Sequence, residues 1–107
     1  TVRTWMEEAG MQVRVDAVGN MIGHYPARTE NARTLLVGSH LDTVKNAGKY
    51  DGMLGVLLGI ALVKSLAGER LPFALEIAGF SEEEGVRYSK PFFGSKAVIG
   101  KFEDAWL

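Results

Sequence analysis

The chain has 107 residues, 47% of them hydrophobic and 23% charged, with a formal net charge of −1. That balance suits one small globular domain or part of a larger one, and it offers no electrostatic basis for binding nucleic acid or an anionic membrane. Cysteine is absent, which excludes disulfides and thiolate metal ligands and is compatible with a reducing, cytoplasmic compartment.

Val2, Trp5, Met6 and Ala9 fall on one face of a helix that Gly10 should stop. The chain thus opens inside a helix, without an initiator Met or a signal sequence, and reads as a fragment of a longer protein. Met11 to Ala17 alternates apolar and polar residues, which predicts a strand with one polar face. Gly19-Asn20 reads as a tight turn, and Met21 to Tyr25 as the returning strand of a hairpin. Pro26 to Arg33 is polar and contains breakers, so a surface loop is expected.

Thr34 to Ser39 is a short apolar run of the kind found in buried strands, with His40 just past its end. His40 to Tyr50 lacks periodicity and reads as a loop. Asp51 can cap a helix running from Gly52 to about Ala67, ended by Gly68. That helix is apolar almost all round, so it should be buried against a sheet, and its glycines permit close packing. Its apolar core, Met53 to Val63, is too short to span a bilayer.

Pro72 to Phe80 is the next strand, with Glu76 its only charge. Ser81 to Ser89 is a polar loop, and Phe92 to Ile99 has the pattern of a short helix. The strand–loop–helix–strand order from Thr34 to Phe80 predicts a βαβ crossover. In such sheets sites form beyond the carboxyl ends of the strands, where His40 and the run Glu82-Glu83-Glu84 would meet.

These residue types suit a water-activating metal site: neutral imidazole and carboxylates as ligands, and a spare carboxylate as base. Asp42, two residues past His40, can hydrogen-bond the ring nitrogen that does not ligate. Each residue also has a plainer reading. His40 can be an ordinary solvated histidine, Asp51 a helix cap, and the glutamates a solvated loop. Three adjacent carboxylates nonetheless repel one another unless a cation is near. His24, the other histidine, reads as a surface or strand-end residue. Lys45, Lys49 and Arg87 read as solvated or locally paired charges.

Gly38-Ser-His-Leu-Asp-Thr-Val-Lys-Asn-Ala-Gly-Lys-Tyr-Asp-Gly-Met-Leu-Gly-Val56 resembles the metal-site signature of the dinuclear-metal aminoacylase/carboxypeptidase superfamily. Ser81-Glu-Glu-Glu-Gly-Val-Arg-Tyr88 and Phe93-Gly-Ser95 resemble its carbamoylase branch: N-carbamoyl-L-amino-acid hydrolases, allantoate amidohydrolases and β-ureidopropionases. Arg14-Val-Asp-Ala-Val-Gly-Asn20 is similar to the hairpin that precedes the site in these enzymes.

The resemblance implies an α/β fold, part of a mixed-sheet catalytic domain with flanking helices. Residues 1–107 would be its N-terminal portion, without the lid and dimerisation domain. It implies His40 as a ligand of one metal, Asp42 as the residue orienting it, and Asp51 as the carboxylate bridging two metals. Glu84 would ligate the second metal, and Glu83 would be the general base. The implied parent is a homodimeric hydrolase of carbon–nitrogen bonds in ureido or amide substrates. It would use two divalent ions among Zn, Mn, Co and Ni. Two further histidine ligands would come from segments outside this chain, so these residues would hold at most one metal alone and be inactive by themselves. A dipeptidase or aminoacylase of the same superfamily, and a truncated non-catalytic binding module, are the alternative expectations.

Overall fold

The computed structural model describes residues 1–41, 48, 51–81, 95 and 98. The elements that can be bounded among the described residues are the helices α1 (Val2–Glu8) and α2 (Met53–Ser65) and the strands β1 (Gln12–Val15), β2 (Met21–Tyr25), β3 (Thr34–His40) and β4 (Ala74–Phe80). The strands form one mixed sheet in the order β1-β2-β4-β3. β1 with β2 and β2 with β4 are antiparallel, whereas β3 and β4 run parallel. The expected α/β architecture and the β3–α2–β4 crossover are therefore present. Of the short helix expected over Phe92–Ile99, the described residues Ser95 and Val98 are helical.

Both helices pack on one face of the sheet. Met6, Ala9, Met11, Tyr25, Val56, Ile60, Val63, Leu75 and Ile77 form the core between them. α2 sits unusually low. A Cβ added at Gly59 would lie 2.9 Å from Ile77, and one added at Gly55 would lie 2.7 Å from Ser39. The two glycines are thus notches through which the helix backbone approaches β4 and β3, as the sequence suggested. The Tyr25 hydroxyl, at the end of β2, donates to the Glu69 carbonyl at 2.7 Å and ties the sheet to the α2–β4 connection.

Two expectations need correction, on β3 and on the hairpin turn. β3 is not buried: it is an edge strand, with Leu35 50% and Leu36 43% exposed. Among the described residues its apolar run has a neighbour on one side only, and hydrophobicity alone could not distinguish centre from edge. α2 packs one face against the sheet, as expected, and leaves the other open. Val56, Gly59, Ile60 and Val63 are buried, while Leu54, Leu58 and Leu62 form an open stripe four residues apart. The hairpin turn is also longer than Gly19-Asn20. β1 ends at Val15, and a five-residue connection, Asp16 to Asn20, is closed by the Asn20 carbonyl accepting from the Asp16 amide at 3.0 Å.

No helix among the described residues is long and apolar enough to cross a membrane.

Candidate metal centre

The parallel pairing sets the site. His40, the last residue of β3, is in register with Phe80, the last residue of β4. The Leu41 amide continues the ladder by donating to the Phe80 carbonyl at 3.3 Å. Two strand ends therefore arrive side by side, one carrying His40 and the other leading into Ser81 and the glutamates, as the crossover topology predicted.

Asp51 reaches the same place from the helix side. Its amide donates to the Gly48 carbonyl at 3.2 Å, closing a turn just before α2. Asp51 is not the helix cap the sequence suggested. The N-cap position belongs to Gly52, and no side chain caps the helix. The carboxylate is instead directed at His40, with Asp51 Oδ1 3.5 Å from His40 Nε2. Two donors bound to one tetrahedral zinc at about 2.0–2.1 Å stand about 3.3 Å apart, so this pair has the spacing of neighbouring ligands. The His40 side chain is 16% exposed and that of Asp51 40%, so the imidazole is shielded while the carboxylate faces outward.

Gly52 makes that approach possible. Its φ of +79° lies in the left-handed region, and an added Cβ would run into the His40 ring and sit 2.7 Å from the His40 carbonyl oxygen. Only a residue without a side chain lets the turn slide under the histidine.

Among the described residues no group of three His, Cys, Asp or Glu side chains converges on one point. Asp42, Glu82, Glu83 and Glu84 lie outside the described residues, as do Lys45, Lys49 and Arg87. The pair that the structure does bring together, His40 and Asp51, supplies an imidazole and a carboxylate, a donor set that suits Zn, Mn, Co or Ni.

His24 is not a solitary strand-end residue. It stands within β2 opposite Glu76 of β4, and Glu76 Oε2 lies 2.9 Å from His24 Nδ1 and 3.3 Å from Arg14 Nη1. Burial works to raise the Glu76 carboxyl, but hydrogen bonds from His24 and Arg14 outweigh it, and the carboxyl is held below its ordinary value of 4.5. This cluster lies on the face of the sheet opposite the core residue Ile77. An open cavity of about 390 Å³ lies beside it, lined by His24, Arg28, Arg70 and the first residues of β3 and β4, at the opposite end of those strands from His40.

The residue that sequence reasoning missed is Asn20, taken there as part of a turn. It is fully buried. Its Nδ2 donates to Asp16 Oδ2 at 2.8 Å, and its Oδ1 accepts from the Ser81 amide at 2.9 Å. Nothing in a turn-like Gly-Asn signals that its amide will be enclosed by a strand sixty residues later.

Residues 20–106 match Peptidase family M28. The chain belongs to that family. It is 44% identical over 103 residues to allantoate deiminase 1 of Glycine max, covering 92% of this chain and 21% of that protein. It is 40% identical over 102 residues to an N-carbamoyl-L-amino-acid amidohydrolase of Pseudomonas sp., covering 94% of this chain and 25% of the relative. Among solved structures, a hydantoinase/carbamoylase family amidase from Burkholderia ambifaria superposes with a TM-score of 0.90 at 38% identity, covering 97% of this chain and 26% of that one. The M28 chain thus spans between a fifth and about a quarter of the length of these relatives, and the carbamoylase-branch resemblance seen in its motifs holds along nearly all of it.

Proposed function

We propose that this chain contributes His40 and Asp51 to the metal centre of a hydrolase of carbon–nitrogen bonds in linear ureido or amide compounds, of the N-carbamoyl-amino-acid or allantoate type. The observation that carries the reading is the His40–Asp51 pair, at ligand spacing, at the carboxyl ends of two parallel strands. The names of the relatives, allantoate deiminase and N-carbamoyl-L-amino-acid amidohydrolase, supply the substrate class.

In this reading His40, Asp51 and Glu84 would hold divalent metal, Asp51 as a carboxylate shared between two ions. A bound Zn, Mn, Co or Ni ion supplies Lewis acidity and makes water ionisable near neutral pH. The protein's own part is to place and move protons. His40 is held by its strand end and by the glycine turn beneath it. Asp42 orients the imidazole through the nitrogen that does not ligate. Glu83 takes a proton from the attacking water and delivers it to the leaving nitrogen as the carbon–nitrogen bond breaks. Further ligands, the groups that hold the substrate and a homodimer contact would lie outside the segment that this chain spans. With no cysteine to protect, a reducing cytoplasm suits the protein.

The test is to express the complete reading frame containing this chain, load it with Mn²⁺, Co²⁺ or Zn²⁺, and assay allantoate, N-carbamoyl amino acids, N-acyl amino acids and dipeptides. Metal-dependent release from the ureido substrates is expected. Turnover confined to the acyl or peptide substrates moves the protein to the aminoacylase or dipeptidase reading, and no turnover of any favours the non-catalytic one. Glu83→Gln should abolish turnover and retain metal; activity in that variant refutes the base assignment.

A further inference from the structure

One peptide group at the edge of the site is held from both sides. The Phe80 carbonyl accepts from the Leu41 amide of β3's end, and the amide of the same peptide, on Ser81, donates to Asn20 Oδ1 at 2.9 Å. The second bond is not part of the sheet ladder. β2 pairs with β4 only as far as Met21 and Gly79, and beyond that point the chain turns away into the Asp16–Asn20 connection. The Asn20 side chain replaces the backbone acceptor that a longer β2 would have offered.

Asn20 is itself fixed. Asp16 takes its Nδ2 at 2.8 Å and its backbone amide at 2.9 Å, and the Asp16 carboxylate also caps the Val18 amide at 3.1 Å. Ser81 adds a second tether, its Oγ donating to the Val18 carbonyl at 2.7 Å. The asparagine is wholly buried, and no side-chain polar atom buried among the described residues lacks a partner. A buried amide so fully engaged is rigid, because each bond lost would leave a desolvated group behind.

We propose that Asn20 is a positioning residue for the metal centre: by clamping the Phe80–Ser81 peptide to the hairpin, it sets the direction in which the chain leaves β4 toward Glu82-Glu83-Glu84, relative to His40 on the neighbouring strand end. The inference rests on the metal-centre reading above. It extends that reading to a residue that touches neither metal nor substrate. Asp16 and Ser81 complete the clamp.

The experiment uses the complete protein and Mn²⁺ as the probe, with affinity measured by competition against a chromophoric chelator and kcat and KM measured on a turned-over ureido substrate. Asn20→Ala should weaken Mn²⁺ binding tenfold or more and lower kcat while KM stays within twofold, the scale seen when residues behind metal ligands are removed. Its Ser81 amide should exchange with solvent at least tenfold faster. Ser81→Ala should show a smaller loss, and Ser81→Thr, which keeps the hydroxyl, should recover wild-type affinity. Leu75→Val, a core change near the other end of β4, controls for destabilisation. It should leave Mn²⁺ affinity within twofold at the same fall in melting temperature. Equal Mn²⁺ affinity in Asn20→Ala and wild type overturns the proposal, as does an equal loss in Leu75→Val. If Asn20→Ala does not fold, the contrast between Ser81→Ala and Ser81→Thr decides. A wild-type protein that binds none of the divalent ions overturns the metal-centre reading itself. That result differs from a wild type that binds metal and an Asn20 variant that binds it equally well.

Discussion

Two polar clusters share strands β2 and β4, and they differ in what surrounds them. Around Asn20, at the carboxyl end of β4, the central amide is fully buried and its partners Asp16 and Ser81 are half-buried. Around Glu76, near the middle of the same strand, the partners are Arg14, with 56% of its side chain exposed, and His24, with 32%. Water competes for the second set more than for the first, whose centre is enclosed. The closed cluster therefore dictates a chain path, whereas the open one adjusts stability with pH. The charges are in the open cluster and the structural leverage is in the mostly neutral one, so formal charge is a poor guide to which polar residues matter here.

The sharpest way to break this contrast is to remove the closed cluster's centre. Asn20→Ala should cost about 3 kcal/mol in urea unfolding, because it strands the Ser81 amide and the Asp16 carboxylate without partners. A loss as small as that of an exposed substitution would remove the distinction between the clusters. Gly52→Ala should rank second, at about 2 kcal/mol, since it forces a Cβ into a left-handed backbone and against His40. Its divalent-metal affinity should fall as well, measured by the same chelator competition.

For the open cluster, Glu76→Gln should cost about 1 kcal/mol at neutral pH. Its larger signature is in acid. A carboxyl held below its ordinary value of 4.5 contributes stability that is complete above that value and is lost as pH falls through the folded-state value. Wild type should therefore lose stability faster than Glu76→Gln as pH drops below about 4.5; parallel curves would show that the His24 and Arg14 bonds do not hold in solution. Arg14→Ala should cost less than about 0.5 kcal/mol and become undetectable at high salt. Smallest of all in folding free energy is Leu58→Glu, on the 61%-exposed point of the α2 stripe. In sedimentation of the 107-residue chain, however, that change should reduce the self-association expected from the open stripe and the β3 edge.

How much was legible in advance follows the same division between local and distant. α1, the hairpin strands, α2 and β4 were readable because periodicity and glycine breaks are properties of neighbouring residues. The meeting of His40 with the end of β4 was readable too, because a βαβ crossover leaves few topologies. Asp51 carried two readings in the sequence, helix cap and metal ligand, since its position before Gly52 matches a capping pattern; only the structure shows that Gly52 holds the cap position and that the carboxylate is directed at His40. The exposure of Leu35, Leu36 and Leu58 was partly hidden because an apolar residue reads the same whatever covers it.

The sequence by itself determined the element order and the mixed α/β class, and it supplied the imidazole and carboxylate side chains on which the proposed metal centre rests, because these depend on residue type and short spacing. Tertiary structure alone decided that β3 is an edge, that Gly52 admits Asp51 to His40, and that Asn20 is enclosed by Ser81. Each of these is a contact between segments far apart in the chain, and burial, which sets the strength of a polar contact, exists only once those segments have met.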